Sequence, residues 1–130
     1  YDWEKQTVRH QLVPVAGAKD VICLEVGADG RVYGLAAGGR FFVYDPKTGE
    51  IAHRADFSAF GEPLRAGLER QPDGALYGTF TQAVVRLDPA TCQADVIAKP
   101  PKPISAGMAM LGGRVYVACR AEIWSCPISR

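Results

Sequence analysis

The stretch DGRVYGL at residues 29–35 is the first of three similar segments in this chain. It returns as DGALYGT at 73–79 and as GGRVYVA at 112–118. A second block follows each copy, as FVYDPKTGEI at 42–51, VRLDPATCQADVI at 85–97 and the shorter IWSCPI at 123–128. A third block, such as VICLEVGADG at 21–30, precedes each copy. Blocks that recur three times in one order indicate an internal repeat of about 40 residues.

Each repeat has the residue pattern of four short antiparallel strands. In the first repeat we predict strands at 20–27, 31–36, 40–45 and 50–56. Asp29-Gly30 indicates a tight hairpin turn, because glycine accepts the positive φ that such turns need. The intervening stretches are rich in Val, Ile, Tyr and Phe, which favour strands. A helical period over 58–70 is interrupted by glycine and proline, so the predicted fold class is all-β.

A unit of four strands in about 40 residues is typical of a β-propeller blade. The chain of 130 residues, 48% of them hydrophobic, is long enough for one domain with its own core. A β-sandwich is the alternative fold, but a sandwich needs no internal repeat and would not explain the three equivalent blocks. We therefore predict a β-propeller with about three four-stranded blades. Tyr33, Tyr77 and Tyr116 are interpreted as core residues, and Gly34 and Gly78 as sites of close packing between blades.

The opening residues 1–10 resemble residues 44–53, which predicts an orphan fourth strand at 6–14. The third repeat ends after its third strand. Because propellers typically have 4 to 8 blades, three blades need completion. Two explanations stay open: a second copy that makes a six-bladed 3+3 ring by strand donation, or further blades of a longer propeller. We expect a second polypeptide to complete the ring. The predicted units of this single partial domain are 1–19 (orphan strand), 20–63, 64–103 and 104–130.

The balance of charges restricts the class of partner. A formal net charge of +1 gives no strongly basic surface, so we expect neither nucleic acid nor a membrane as a partner.

The pattern G-L-x-x-x-P-D-G-x-L-Y-G at 67–78 resembles the repeats of NHL and SMP-30 gluconolactonase-like propellers, and those of virginiamycin B lyase. The resemblance covers nearly the whole chain and implies the propeller fold. The lactonase-like enzymes hold a divalent cation in the channel with Glu, Asn and Asp side chains. This chain has no Asn, so the resemblance does not imply an intact cation site. The lyase-like relatives use a histidine at the channel mouth, whereas His10 and His53 fall on outer strands.

Ligands of propellers usually gather on the face that carries the loops before the first strand and after the second strand of each blade. We predict ligand-binding residues on this face, and an anionic small molecule or sugar acid as the ligand, because arginine forks suit carboxylates. The predicted residues are Arg40, Arg65, Arg120, Gln82 and Asp20. Solvated loop residues without a ligand are the alternative interpretation.

Glu25 and Glu69 occupy equivalent positions in the first strands of two repeats, which are expected to line the channel. Paired carboxylates can bind a cation or act as acid and base. We predict no cofactor. The alternative is a bound Ca²⁺ with Glu25 and Glu69 as its ligands. Repeat equivalence alone also explains why the two residues match.

The sequence favours a binding module for a ligand or protein, because no assembled catalytic motif is present. The alternative is a hydrolase or lyase acting on a sugar-derived lactone or uronate-like substrate, with metal ligands supplied partly by other blades. The sequence therefore leaves open whether the protein is an enzyme, although it favours a binding module.

The four cysteines have no zinc-site spacing. Cys23, Cys119 and Cys126 are interpreted as buried thiols and Cys92 as an exposed turn residue. A Cys119–Cys126 disulfide stays open. A tight turn at Ala121-Glu122 predicts instead that Cys126 pairs with Val117.

Overall fold

The computed structural model describes residues 4–7 and 11–128, and these form three antiparallel β-sheets. The first sheet has β1 (Val21–Val26), β2 (Val32–Ala36), β3 (Arg40–Asp45) and β4 (Glu50–Asp56). The middle sheet has β5 (Pro63–Arg70), β6 (Leu76–Phe80), β7 (Val84–Leu87) and β8 (Ala94–Ala98). The last sheet has β9 (Ala106–Leu111), β10 (Arg114–Cys119) and β11 (Glu122–Pro127). A single 3₁₀ turn at Ser58–Phe60 joins the first two sheets, and the described residues contain no α-helix.

Local turn chemistry explains why each sheet folds back on itself in sequence order. Gly30 has a φ of 78°, and the Asp29 carboxylate accepts a hydrogen bond from the Arg31 amide at 3.0 Å. Asp73 accepts the equivalent bond from Ala75 at 3.0 Å. Each aspartate satisfies a turn amide while glycine takes the left-handed conformation. The all-β prediction is therefore confirmed, and the strands of the first sheet lie within two residues of their predicted bounds.

The core between the first and middle sheets is aromatic. Phe41 is fully buried, and its ring stacks on Phe57 with centroids 5.0 Å apart. Phe57 also meets the edge of the buried Phe80 at 6.3 Å. Offset and edge contacts of this kind stabilise aromatic pairs beyond the area that they bury. This cluster holds the first sheet face to face with the middle sheet.

A second, aliphatic cluster lies between the middle and last sheets. Val84 on β7 packs with Ile104, Val115 and Val117, each at most 5% exposed. Consecutive sheets thus share a buried interface in both cases, as neighbouring blades of a propeller do.

The outer face of the first sheet is partly covered by the segment that precedes it. Val15 is buried against Ala36 and Phe42. The Arg54 side chain donates a hydrogen bond from Nε to the Pro14 carbonyl at 2.8 Å, which fixes the segment across β4. The chain then enters β1, which lies beside β5, and β5 in turn lies beside β9. The first strands of the three sheets are therefore neighbours.

The last hairpin corrects one prediction. Cys119 pairs with Glu122, so the turn is Arg120-Ala121 rather than Ala121-Glu122. Cys126 consequently faces Val115 and not Val117. The turn is shifted by one residue because Arg120 adopts a φ of 57°. Positive φ is uncommon for arginine, so the sequence did not predict this turn.

The cysteines are free thiols, so the Cys119–Cys126 disulfide does not form. Cys23 and Cys119 are buried as predicted, but Cys126 is half-buried. Cys92 lies in a turn, yet it is half-buried against the core of the first two sheets rather than exposed.

The predicted orphan strand at 6–14 lies only partly within the described residues. Residues 4–7 form a turn with one isolated bridge at Thr7, and residues 11–14 form no strand. Residues 8–10, including His10, lie outside the described residues. Within the part of the chain that is described, no helix has the length and hydrophobicity needed to cross a membrane.

Candidate ligand-binding face

The three sheets present the predicted loops at one common end, here called the loop face. The Ala37 amide donates to the Asp20 carbonyl at 2.9 Å, so the entry to β1 lies beside the β2–β3 turn. The Thr81 amide donates to the Glu62 carbonyl at 2.9 Å in the middle sheet. In the last sheet the Ser105 amide bonds the Ala118 carbonyl at 2.8 Å. Each sheet therefore begins beside its own second turn.

Hydrogen bonds also join the loop face across neighbouring sheets. The Gly38 amide in the first sheet donates to the Glu62 carboxylate at 2.9 Å. The Ile104 amide donates to the Thr81 carbonyl at 2.7 Å, which ties the last sheet to the middle one. Hydrogen bonds between neighbouring sheets therefore hold these loops in fixed relative positions.

The entry of β5 is the most irregular backbone on this face. Pro63 pairs with Phe80 and Leu68 with Gly78, so residues 64–67 oppose Thr79 alone. Ala66 adopts a φ of 54°, which costs a non-glycine residue about 1 kcal/mol. A Cβ at Gly67 would overlap the Leu64 carbonyl and would lie 2.8 Å from the Thr79 carbonyl. Glycine is therefore required at position 67 for the bulge to form.

The β5 bulge turns Arg65 and Ala66 outward, and both residues are exposed. Smaller bulges occur in the other two first strands, at Ile22 in β1 and at Met108 in β9. Bulges re-aim side chains and are frequent beside functional sites. Sequence reasoning missed the bulge itself, although Gly67 was its one visible signal.

Arg40 begins β3 directly opposite Asp56. The Ser58 side chain and amide hydrogen-bond to the Asp56 carboxylate and lower its pKa, with a smaller contribution from the charge of Arg40. Together with Val15 and Gly38, these residues line an open cavity of about 340 Å³. The cavity offers one guanidinium and one carboxylate, which suits a polar ligand.

The remaining predicted ligand residues are all exposed on the loop face. Arg120 occupies the β10–β11 turn, where its amide donates to the Ser105 hydroxyl at 2.8 Å. The Gln82 amide bonds the Phe60 carbonyl at 3.0 Å, and its side chain faces solvent. The Asp20 carbonyl accepts the hydrogen bond from the Ala37 amide, and the Asp20 side chain is exposed. Among the described residues, neither Arg65 nor Arg120 forms an ion pair through its side chain.

Glu25 and Glu69 lie further along the first strands, opposite Tyr33 and Tyr77. The Glu25 carboxylate accepts a hydrogen bond from the Val26 amide at 2.8 Å, and Glu69 accepts one from the Gln71 side chain at 3.2 Å. Ala109 takes the equivalent position in the last sheet. Within residues 4–7 and 11–128, no three His, Cys, Asp or Glu side chains gather as metal ligands would.

A separate apolar cleft of about 180 Å³ opens between the middle and last sheets. Its walls include Pro100, Pro101, Trp124 and Cys126. The Trp124 indole donates to the Glu122 carboxylate at 2.9 Å. Hydrogen bonds from Lys102 and Trp124 lower the pKa of Glu122. Sequence analysis did not predict this cleft, because its walls come from two sheets and from the connection between them.

Comparison with known proteins supports the fold and not an activity. No family model matches the chain, and no curated protein matches it. Two structures of the extracellular domain of BT4673 from B. thetaiotaomicron, described as a one-component and as a hybrid two-component system, are similar to it. Their TM-scores are 0.67 and 0.70, with 18% and 17% identity, over 88% of this chain.

The RRP9 WD40 repeats are similar with a TM-score of 0.56 and 14% identity over 82% of the chain. This chain spans 16% of each BT4673 chain and 37% of the RRP9 chain. At these identities the likeness is to the fold alone. The chain is therefore a β-propeller-like fragment, and no match supports the narrower resemblance to NHL or SMP-30 gluconolactonase-like propellers.

Proposed function

We propose that this chain is part of a β-propeller-like binding module whose loop face binds an anionic small molecule, such as a sugar acid. The observation that carries the proposal is the β5 bulge, which presents the exposed Arg65 beside β1 and β9. Arg40 and Arg120 lie on the same face, one on each neighbouring sheet.

The chemistry of arginine favours a carboxylate as the ligand group. A guanidinium offers a planar fork of donors that matches the two oxygens of a carboxylate. Because the Arg65 side chain forms no ion pair within the described residues, its donors are available to a ligand. The Thr81 amide holds the Glu62 carbonyl at the entry of β5, so little ordering of this part of the backbone is needed on binding.

A binding role agrees with the solved structures of similar fold. The BT4673 domains are extracellular parts of one- and two-component systems, and RRP9 carries WD40 repeats. Neither description names an enzyme. The alternative of a hydrolase or lyase has no supporting observation among the described residues, since Glu25 and Glu69 each hydrogen-bond within their own strand region.

Titration calorimetry with glucuronate and galacturonate tests the proposal, with neutral glucose as the matched ligand control. We expect Arg65→Gln to weaken binding of the acids roughly tenfold or more, because a hydrogen bond to a charged group contributes ~1.5–3 kcal/mol. Arg70→Gln is the control variant, since Arg70 is an exposed arginine at the opposite end of the same strand. Equal losses for both variants, or acids that bind no better than glucose, would contradict the proposal.

A further inference from the structure

A polar cavity of about 480 Å³, here called the turn cavity, lies between the hairpin turns of the first and middle sheets. Residues 29–31 and 45–47 of the first sheet line it together with Pro89 and Ala90 of the middle sheet. Because neighbouring strands are antiparallel, these turns lie at the end of the sheets opposite the loop face. Its walls come from two consecutive sheets, and all of its lining residues belong to the described part of the chain.

The carboxylates of the turn cavity are already matched by donors of the protein. Asp29 accepts hydrogen bonds from the Arg31 amide at 3.0 Å and from the Tyr33 hydroxyl at 2.6 Å. Asp45 accepts a hydrogen bond from the Lys47 amide at 2.9 Å, and it forms an ion pair with the Arg31 side chain. Both turns are therefore held in place before any ligand binds.

The two cations of the turn cavity have donors that the protein does not use. The closest approach of the Arg31 guanidinium to Asp45 is 3.6 Å, from Nε, which is longer than a hydrogen bond. The Lys47 side chain is exposed and forms neither an ion pair nor a hydrogen bond within residues 4–7 and 11–128. A guanidinium fork beside an unpaired ammonium group favours an oxyanion as the ligand group.

The second repeat indicates that the fold does not need these two cations. It has Ala75 at the position of Arg31 and Ala90 at the position of Lys47. Its turns are bonded in the same way, because the Ala75 amide donates to a carboxylate at 3.0 Å and the Ala90 amide donates to another at 2.8 Å. The side chains of Arg31 and Lys47 are therefore not required to form the turns.

The third repeat has an arginine at the position of Arg31, but its donors are used within its own sheet. This residue, Arg114, donates from its guanidinium to the Ser125 hydroxyl at 2.9 Å. In the first sheet the position of Ser125 is taken by Val43, whose side chain offers no acceptor. Arg31 therefore retains the donors that Arg114 uses.

We propose that the turn cavity binds a phosphate monoester of a small polar molecule, such as a sugar phosphate, through Arg31 and Lys47. A phosphate group carries a charge of about −1.5 to −2 at neutral pH and has three acceptor oxygens, so it can engage both cations at once. A carboxylate, with one charge and two oxygens, is matched by a single guanidinium. A cavity of about 480 Å³ has the size of a small-molecule site, which leaves room for the rest of the ligand beside Pro89 and Ala90. This site goes beyond the proposed function of the loop face and does not depend on it.

Titration calorimetry with glucose-6-phosphate tests this inference, with glucose as the neutral control ligand. We expect the phosphate to bind and glucose not to bind. Arg31→Gln and Lys47→Gln should each weaken binding about tenfold or more, because each removes a hydrogen bond to a charged group. Arg114→Gln is the matched control, since it removes an arginine from the equivalent repeat position outside the turn cavity. It should leave the affinity unchanged.

Two measurements separate this site from the loop face and from a folding defect. Arg65→Gln should weaken binding of glucuronate and leave binding of glucose-6-phosphate unchanged, because Arg65 lies at the opposite end of the sheets. Urea midpoints of Arg31→Gln and Lys47→Gln should match the wild type, because exposed charges of this kind contribute little to stability. A wild-type protein that does not bind glucose-6-phosphate, a loss of this binding in Arg65→Gln, or equal affinities for Arg31→Gln and Arg114→Gln would overturn the inference.

Discussion

Adding one methyl group at Gly34 should destabilise the protein far more than the same change at Gly78. The two glycines occupy equivalent places in the repeat, opposite Phe42 and Val85. A Cβ at Gly34 would overlap the ring of Phe42, which is 3% exposed and covers the glycine. A Cβ at Gly78 would lie 3.2 Å from a methyl group of Val85, which small shifts can accommodate.

The magnitude follows from the displacement of the ring. If Phe42 swings out, it loses roughly half of the ~200 Å² that a buried aromatic removes from water, which costs about 2.5 kcal/mol. Replacing glycine with alanine restricts the unfolded chain and recovers ~0.5 kcal/mol. We therefore expect Gly34→Ala to lower the free energy of unfolding by about 2 kcal/mol. Gly78→Ala should stay within ~1 kcal/mol of the wild type.

Urea unfolding at one protein concentration measures both variants, and Gly34→Ala should lower the midpoint by about 1 M. The same substitution in a Phe42→Ala background is the decisive control, because the ring is then absent. The cost of Gly34→Ala should fall to ~0.5 kcal/mol or less in that background. A cost that persists without the ring, or one that is equal at Gly78, would refute the argument from ring overlap.

Two further predictions concern titratable groups. Burial raises the pKa of the Cys23 thiol from 9.0 to about 11, so the unfolded chain releases this proton first and stability should fall as the pH rises from 9 to 11. Urea midpoints across that range should decline less steeply for Cys23→Ala, and an equally steep decline would count against this cause. Burial tends to raise the pKa of Asp29, but hydrogen bonds from the Tyr33 hydroxyl at 2.6 Å and from the Arg31 amide lower it overall. Tyr33→Phe should therefore raise the pKa of Asp29 towards 3.8 in an NMR titration, and an unchanged pKa would exclude the hydroxyl as the cause.

The hairpins of the first two repeats could be predicted because their turns are signalled by adjacent residues. Asp29-Gly30 and Asp73-Gly74 combine a carboxylate that accepts a turn amide with a glycine at positive φ. The last hairpin was predicted out of register because Arg120 takes that conformation without being a typical turn residue. Its amide bond to Ser105 is a contact across 15 residues, which no local pattern reveals.

The sequence predicted where the candidate residues lie in the repeat but not the local backbone geometry around them, and their role in binding stays a prediction. The repeat places Arg40, Arg65 and Arg120 near the starts of strands or in turns, and the structure has them exposed on the loop face. Arg65 lies on a bulge that can form only because residue 67 is a glycine. A Cβ at this position would be too close to the carbonyls of Leu64 and Thr79. The ligand itself stays a prediction, since no comparison bears on it.

The all-β class, the period of the repeat and most of the turns follow from local residue patterns, because φ preferences and strand propensities act between adjacent residues. Which faces of the sheets are covered follows from contacts between the sheets. Tyr33 and Tyr77 are buried between sheets, but the equivalent Tyr116 is half-exposed because the described residues place no sheet against its side of the last sheet. Burial depends on contacts between residues that are distant in sequence, so three equivalent tyrosines can have the same local pattern and different surroundings.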